Sequence, residues 1–262
     1  MIKNIEIFEH TPIPKAVFKF ALPTVLSMIV AVLYNMVDAF FVGQTGDPSK
    51  FAAVNVATPV FLFLMAAGNI FGMGGSSFIS RALGEKNYDK VKNIASFCLY
   101  AGIFTGIAGG ALILINIDWI LSAIGTTETT APFAREYLNV IAWAGPIIVL
   151  SNAYTNLLRG EGAAKNSMNG MMAGTIVNII LDPIFILDSF LGINCLGMGV
   201  SGAAIATIIG NTVSLAIYFI HIVSKNSVLS INPKYFKIRN GILKGVLAIG
   251  LPDRESTRLN SS

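Results

Sequence analysis

Thr175-Ile176-Val177-Asn178-Ile179-Ile180-Leu181-Asp182-Pro183-Ile184-Phe185-Ile186 decides the fold of this 262-residue chain. The run is apolar enough to sit in lipid, yet it carries an amide and a carboxylate four residues apart. On a helix, that spacing puts Asn178 and Asp182 on one face, one turn apart. Pro183 has no N–H to give, which frees the carbonyl of Ile179 and adds a third oxygen nearby. A carboxylate near mid-membrane costs about 2.5–3.5 kcal/mol on insertion scales, so one that is kept there points to a cation or proton site within a transporter.

The rest of the chain has the same character. Hydrophobic residues make up 54% and charged residues only 12%. Soluble domains carry roughly 25% charge, so the composition predicts a polytopic, all-α membrane protein. The net charge of +4 does not make it a nucleic-acid binder, because the basic residues fall in particular loops and form no single patch. The two cysteines, Cys98 and Cys195, are far apart in sequence, which argues against a disulfide framework or a metal site. The apolar run from Ile13 onward reads as a retained span without a cleavage site.

Six spans follow from the hydrophobic runs, at about 15–42, 51–80, 93–116, 132–158, 166–188 and 203–223. Around Asp118-Trp119 lies an interfacial piece, and Gly192 to Gly202 reads as a glycine-rich turn. Residues 1–12 form a polar N-terminal segment, 13–223 the six-helix lobe and 224–240 a polar connector. Residues 241–252 begin a seventh helix, in which Val246-Leu247-Ala248-Ile249-Gly250-Leu251-Pro252 echoes Val17-Phe18-Lys19-Phe20-Ala21-Leu22-Pro23 and reads as the start of a second repeat. Residues 253–262, with four charges in ten positions, cannot continue a membrane helix and read as a non-native tail.

Loop charge sets the expected orientation. Fourteen basic residues (Lys3, Lys15, Lys19, Arg81, Lys86, Lys90, Lys92, Arg159, Lys165, Lys225, Lys234, Lys237, Arg239 and Lys244) fall at the N-terminus and in the even-numbered loops. Only Lys50 and Arg135 fall in the odd ones. The alternation places the N-terminus and the even loops of a multi-pass protein in the cytoplasm.

Within the spans the polar positions are few. Span one carries Tyr34, Asn35 and Asp38 on one face, span five Asn178 and Asp182, and span six Thr207 and Asn211. Span four adds Asn152, Thr155 and Asn156. Carboxylates beside neutral oxygens suit a hard cation, so Na⁺ at Asp38, Asn178 and Asp182 is one reading. A proton carrier is the other, since removal from water and a second carboxylate nearby both favour a protonated carboxyl. Tyr34, Asn35, Asn152 and Asn156 are the candidates for a substrate cavity. The alternative for the amides is simple helix–helix bonding, worth about 0.6 kcal/mol each.

Other patterns are set aside on chemical grounds. Gly72 to Ser77 lacks the lysine of a phosphate loop and fits close helix packing. Neither a histidine cluster nor a serine–histidine pair lies within the spans, which removes the support for an intramembrane metalloprotease or serine hydrolase. Tyr218, Trp119 and Tyr137 are expected in the aromatic belt at the membrane interfaces.

Several of these stretches together resemble one family. Leu22-Pro23 with Tyr34-Asn35-Met36-Val37-Asp38-Ala39-Phe40-Phe41-Val42-Gly43 is similar to the first helix of the multidrug and toxic compound extrusion (MATE) family. So are Leu157-Leu158-Arg159-Gly160-Glu161-Gly162 with Lys165 and Met168, Asn178 through Phe185, and Gly202-Ala203-Ala204-Ile205-Ala206-Thr207. The match runs in order over residues 15–252. The resemblance implies half of a two-lobed, 12-helix secondary antiporter that exports cationic or amphipathic compounds as Na⁺ or H⁺ enters, with no other cofactor. It also implies that Asp38, Asn178, Asp182 and Thr207 carry ion or proton coupling, that Tyr34 neighbours the cavity, and that a C-terminal lobe is missing after Pro252. Two other classes remain open at this point: a lipid-linked precursor flippase, disfavoured because no lysine or arginine lies deep in the spans, and a non-transporting membrane assembly protein.

Overall fold

The computed structural model describes residues 13–224, 227–236 and 242–250. The expected N-terminal segment 1–12 and tail 253–262 lie outside the described residues, as does the side chain of Asn35. Helix α1 covers Ile13–Gly43, α2 Pro48–Gly84, α3 Tyr88–Ile115, α4 Ile117–Ala123, α5 Ala131–Trp143, α6 Gly145–Gly160, α7 Ala164–Ile186 and α8 Gly199–Val223. A 3₁₀ turn at Pro233–Tyr235 and α9, Ile242–Gly250, follow.

Among the described residues, α2, α3, α7 and α8 are each long and apolar enough to cross a bilayer, and the bent pair α5–α6 together supplies a fifth crossing. The 31 residues of α1 reach roughly 46 Å at 1.5 Å per residue, ample for the first. The architecture is therefore an all-α membrane bundle. Two of its helices carry side-chain caps: Asp47 caps α2 by accepting from the Ser49 N–H at 2.8 Å, with Pro48 in the first turn where no donor is needed, and Asn87 caps α3 through the Lys90 N–H at 3.1 Å. The Ser80 hydroxyl donates to the Gly160 carbonyl at 2.9 Å, so the turns at 84–88 and 160–164 lie at the same end of the bundle, with Arg81, Lys86, Lys90, Lys92, Arg159 and Lys165 near them in sequence; this is the basic end.

In α7, burial runs opposite to that of a soluble helix. Ile176, Ile180 and Ile184 form an exposed apolar stripe, while Gly170, Gly174, Asn178 and Asp182 form a buried stripe of small and polar residues. Lipid is as apolar as isoleucine, so no hydrophobic gain pulls helices together; close backbone packing and interhelical hydrogen bonds do it instead. The α7–α8 pair shows this directly. A Cβ at Gly174 would lie 2.3 Å from the Gly210 carbonyl oxygen, so the two backbones touch and tolerate no side chain there.

Three expectations need correction. Span four is not one continuous helix: α5 and α6 meet at Ala144 with a 62° bend. Pro146 cannot donate to the preceding turn, and Gly106 and Gly110 of α3 let its backbone press into the bend, where a Cβ at Gly110 would lie 2.1 Å from the Ala142 oxygen. A small antiparallel hairpin, β1 Ser189–Phe190 paired with β2 Ile193–Asn194, straddles the start of the Gly192–Gly202 turn, and α8 starts at Gly199 rather than near 203. Of the three aromatic residues assigned to the interface, Trp119 is exposed at 72%, whereas Tyr137 and Tyr218 are buried between helices. The Tyr218 hydroxyl sits among Thr155 (3.1 Å) and the Ser167 carbonyl (3.2 Å), tying α8 to α6 and α7.

Candidate functional site

Four helices deliver polar side chains to one buried locality. In α1, Tyr34 and Asp38 lie one turn apart. The Tyr34 hydroxyl meets the Thr207 Oγ1 of α8 at 3.1 Å, a contact across 173 residues of sequence. Thr207 is placed there because Gly210, one turn on, presses against Gly174 and the Cβ of Asn178, which brings α8 alongside the polar face of α7. On that face the Asn178 Nδ2 donates to the Asp182 Oδ1 at 3.1 Å. Asp182 is completely buried and Asn178 is 2% exposed. Asp38 and Asp182 interact electrostatically, and Asp38 interacts likewise with Tyr34 and with Tyr137 of α5.

The open valences of this group matter most. Asp38 Oδ1, Asn178 Oδ1 and Asp182 Oδ2 are all buried and have no hydrogen-bond partner among the described residues. Buried polar atoms are paired in the great majority of native cases. Here three acceptor oxygens without donors lie on residues linked by the Asn178–Asp182 hydrogen bond and by the electrostatic interaction of Asp38 with Asp182. Such a set can hold a hard cation through oxygen ligands or take up a proton between like-charged carboxyls.

Tyr34, Asp38, Asn178, Asp182 and Thr207, all singled out in the sequence, are thus brought together. Asn152 and Asn156 belong to a different seam. Asn152 donates to the carbonyl of Ile148 in its own helix (2.9 Å), and Asn156 donates to the Asn152 carbonyl (3.1 Å) and to Asn69 of α2 (3.2 Å). Gly68 and Gly72 of α2 lie directly against them. Asn211 joins α8 to α6 by accepting from the Ser151 hydroxyl at 3.0 Å. Tyr137 was missed. It shares the buried stripe of α5 with Ala134 and Ile141, and that three-and-four spacing was the available signal.

The MatE family profile matches residues 23–184, well over half of the chain. The chain belongs to the MatE family. It is 34% identical over 245 residues to the multidrug export protein MepA of Staphylococcus aureus, covering 94% of this chain and 53% of MepA. A similar protein of Staphylococcus saprophyticus, also a multidrug export protein MepA, is 31% identical over the same length. Among solved structures, the outward-facing conformation of a multidrug resistance MATE family transporter superposes with a TM-score of 0.81 at 33% identity, covering 91% of this chain and 52% of the other. A MATE crystal structure in a bent conformation gives 0.84 at 31% identity, covering 95% and 54%. The chain spans about half the length of the relatives it matches.

Proposed function

We propose that this chain is one lobe of a cation-coupled multidrug efflux antiporter, in which Na⁺ or H⁺ bound among Asp38, Asn178 and Asp182 drives the outward release of cationic or amphipathic compounds. The observation that carries the reading is the trio of buried acceptor oxygens without donors, on two carboxylates and an amide inside an apolar bundle. Ionised, Asp38 and Asp182 attract a cationic substrate. An entering cation or proton cancels that attraction, so each ligand weakens the hold on the other, and this negative coupling is all that antiport requires. The Tyr34–Thr207 bond joins α1 to α8 within this group, and Tyr137 of α5 interacts electrostatically with Asp38. In this reading the basic end faces the cytoplasm of a prokaryotic cell, following the excess of lysine and arginine there. A second lobe, implied by the family resemblance, supplies in this reading the surface against which alternating access works.

The test is transport in proteoliposomes by the chain joined to such a second lobe, with Na⁺ and pH gradients imposed separately. One of the two gradients drives efflux of a cationic dye, and Asp182→Asn abolishes the driven component while the protein still inserts. Undiminished driven efflux by that variant would remove the basis of the proposal.

A further inference from the structure

Outside the site just described, a second buried carboxylate stands at the basic end. Glu161 follows the last turn of α6 and precedes α7 by three residues; in sequence it reads as part of a glycine-rich turn. Its side chain is almost entirely buried. Oε1 accepts from the Ser227 hydroxyl at 2.8 Å and from the Val228 N–H, and Ser227 Oγ in turn accepts the Leu229 N–H at 3.2 Å. Oε2 faces Nε2 of His221, in the last turn of α8, at 3.5 Å. Residues 66 and 67 positions later in the chain are therefore gathered onto one carboxylate.

The connector continues as a strap over α3. The Ser96 hydroxyl reaches the carbonyls of Ser230 (3.0 Å) and Asn232 (3.1 Å), and the Tyr100 hydroxyl donates to Ile231 (3.1 Å). Phe236 stacks on Phe97 with ring centroids 6.3 Å apart, and Lys92 lies over the Tyr235 ring. Beyond the strap, α9 packs on α2: a Cβ at Gly74 would overlap the backbone of Val246, and one at Gly245 the ring of Phe78.

We propose that Glu161 is the clasp of this strap: it ties the segment leaving α8 to the turn that launches α7. The chain that leads from the bundle to α9 is then bound to the base of the helix bearing Asn178 and Asp182, and a displacement of that helix is passed to the strap. Two features set this contact apart from an ordinary surface bond. Charge-assisted bonds from a hydroxyl and a backbone amide to one buried carboxylate are stronger than neutral ones. Losing them also leaves a buried charge without donors, so release is costly and concerted.

Amide exchange in the full chain, in detergent micelles, tests the clasp. In the unmodified protein the Val228 and Leu229 amides exchange slowly, at rates near those of the 161–163 turn. Ser227→Asp sets a second carboxylate against Glu161 and alters only a connector residue; it raises exchange at 228–229 by about tenfold or more, the loss of one charge-assisted bond, while α8 stays protected. Adding Glu161→Gln to Ser227→Asp supplies an amide donor to the new carboxylate and restores slow exchange, which a remote structural effect would not do. The clasp is refuted if 228–229 exchange at free-peptide rates in the unmodified protein, if Ser227→Asp leaves them unchanged, or if the double variant exchanges no more slowly than Ser227→Asp alone.

Discussion

Asp182→Asn separates a functional carboxylate from a structural one, because the two predict opposite changes in stability. Asn fits the same volume, and its Oδ1 still accepts from Asn178 Nδ2 at 3.1 Å, so the one hydrogen bond is kept. What disappears is Oδ2, which has no partner, together with a charge inside electrostatic reach of Asp38. A carboxylate at membrane depth costs about 2.5–3.5 kcal/mol on insertion scales, so its neutralisation stabilises the bundle by about 1–3 kcal/mol. Thermal unfolding in detergent reads this as a higher midpoint, at about 2–4 °C per kcal/mol for a chain of this size. A ligand makes the contrast sharper. If Na⁺ is the coupling ion, a concentration ten times its Kd stabilises the unmodified protein by RT ln 11, about 1.4 kcal/mol, and leaves Asp182→Asn flat. A variant that melts lower by the equivalent of about 1 kcal/mol or more would show Asp182 holding the helices together, and the coupling argument would fail.

Further outcomes follow from the same contacts. Tyr34→Phe and Thr207→Val each cost about 0.6 kcal/mol, the double variant costs no more than either alone, and a double-mutant cycle on thermal unfolding measures that coupling. Gly174→Ala places a Cβ 2.3 Å from a carbonyl oxygen that cannot rotate away; it forces α7 and α8 apart and lowers stability by about 1–3 kcal/mol despite alanine's higher helix propensity. Tyr218→Phe removes a hydroxyl shared by Thr155 and Ser167 and lowers stability by about 1 kcal/mol with no change in ion response. Tyr137→Phe leaves the fold intact and alters the ion-dependent shift in midpoint, since the Tyr137 phenol interacts electrostatically with Asp38.

Much of the bundle was legible because lipid imposes long apolar helices, and loop charge divides them into an alternating series. What was not legible depends on contacts between helices distant in sequence. The bend at Ala144 needs Pro146 and also the two glycines of α3 that make room for it; a proline alone predicts only a weak point. Tyr137 and Tyr218 were assigned to the interface from their distance to the span ends. Both side chains turn into the core instead, Tyr218 onto Thr155 and the Ser167 carbonyl, contacts that distance to a span end does not encode. The strap over α3 had no signal, since its partners on α3 are a serine, a tyrosine, a phenylalanine and a lysine of ordinary helical character.

The site was legible for a different reason. Asp38, Asn178 and Asp182 stood out by their cost, because a charge in an apolar run needs a use before any neighbour is known. Cost identifies the residues and leaves their grouping open. The grouping comes from two glycines without polar chemistry: Gly174 and Gly210 let α7 and α8 touch, which sets Thr207 beside Asn178 and within reach of Tyr34. On the proposed reading, ion coupling is then more sensitive to glycine substitutions than the polar residues alone imply. A separation of about 1 Å at Gly174, needed to relieve a Cβ clash, would part the Tyr34–Thr207 bond at 3.1 Å while every ionisable group remained in place.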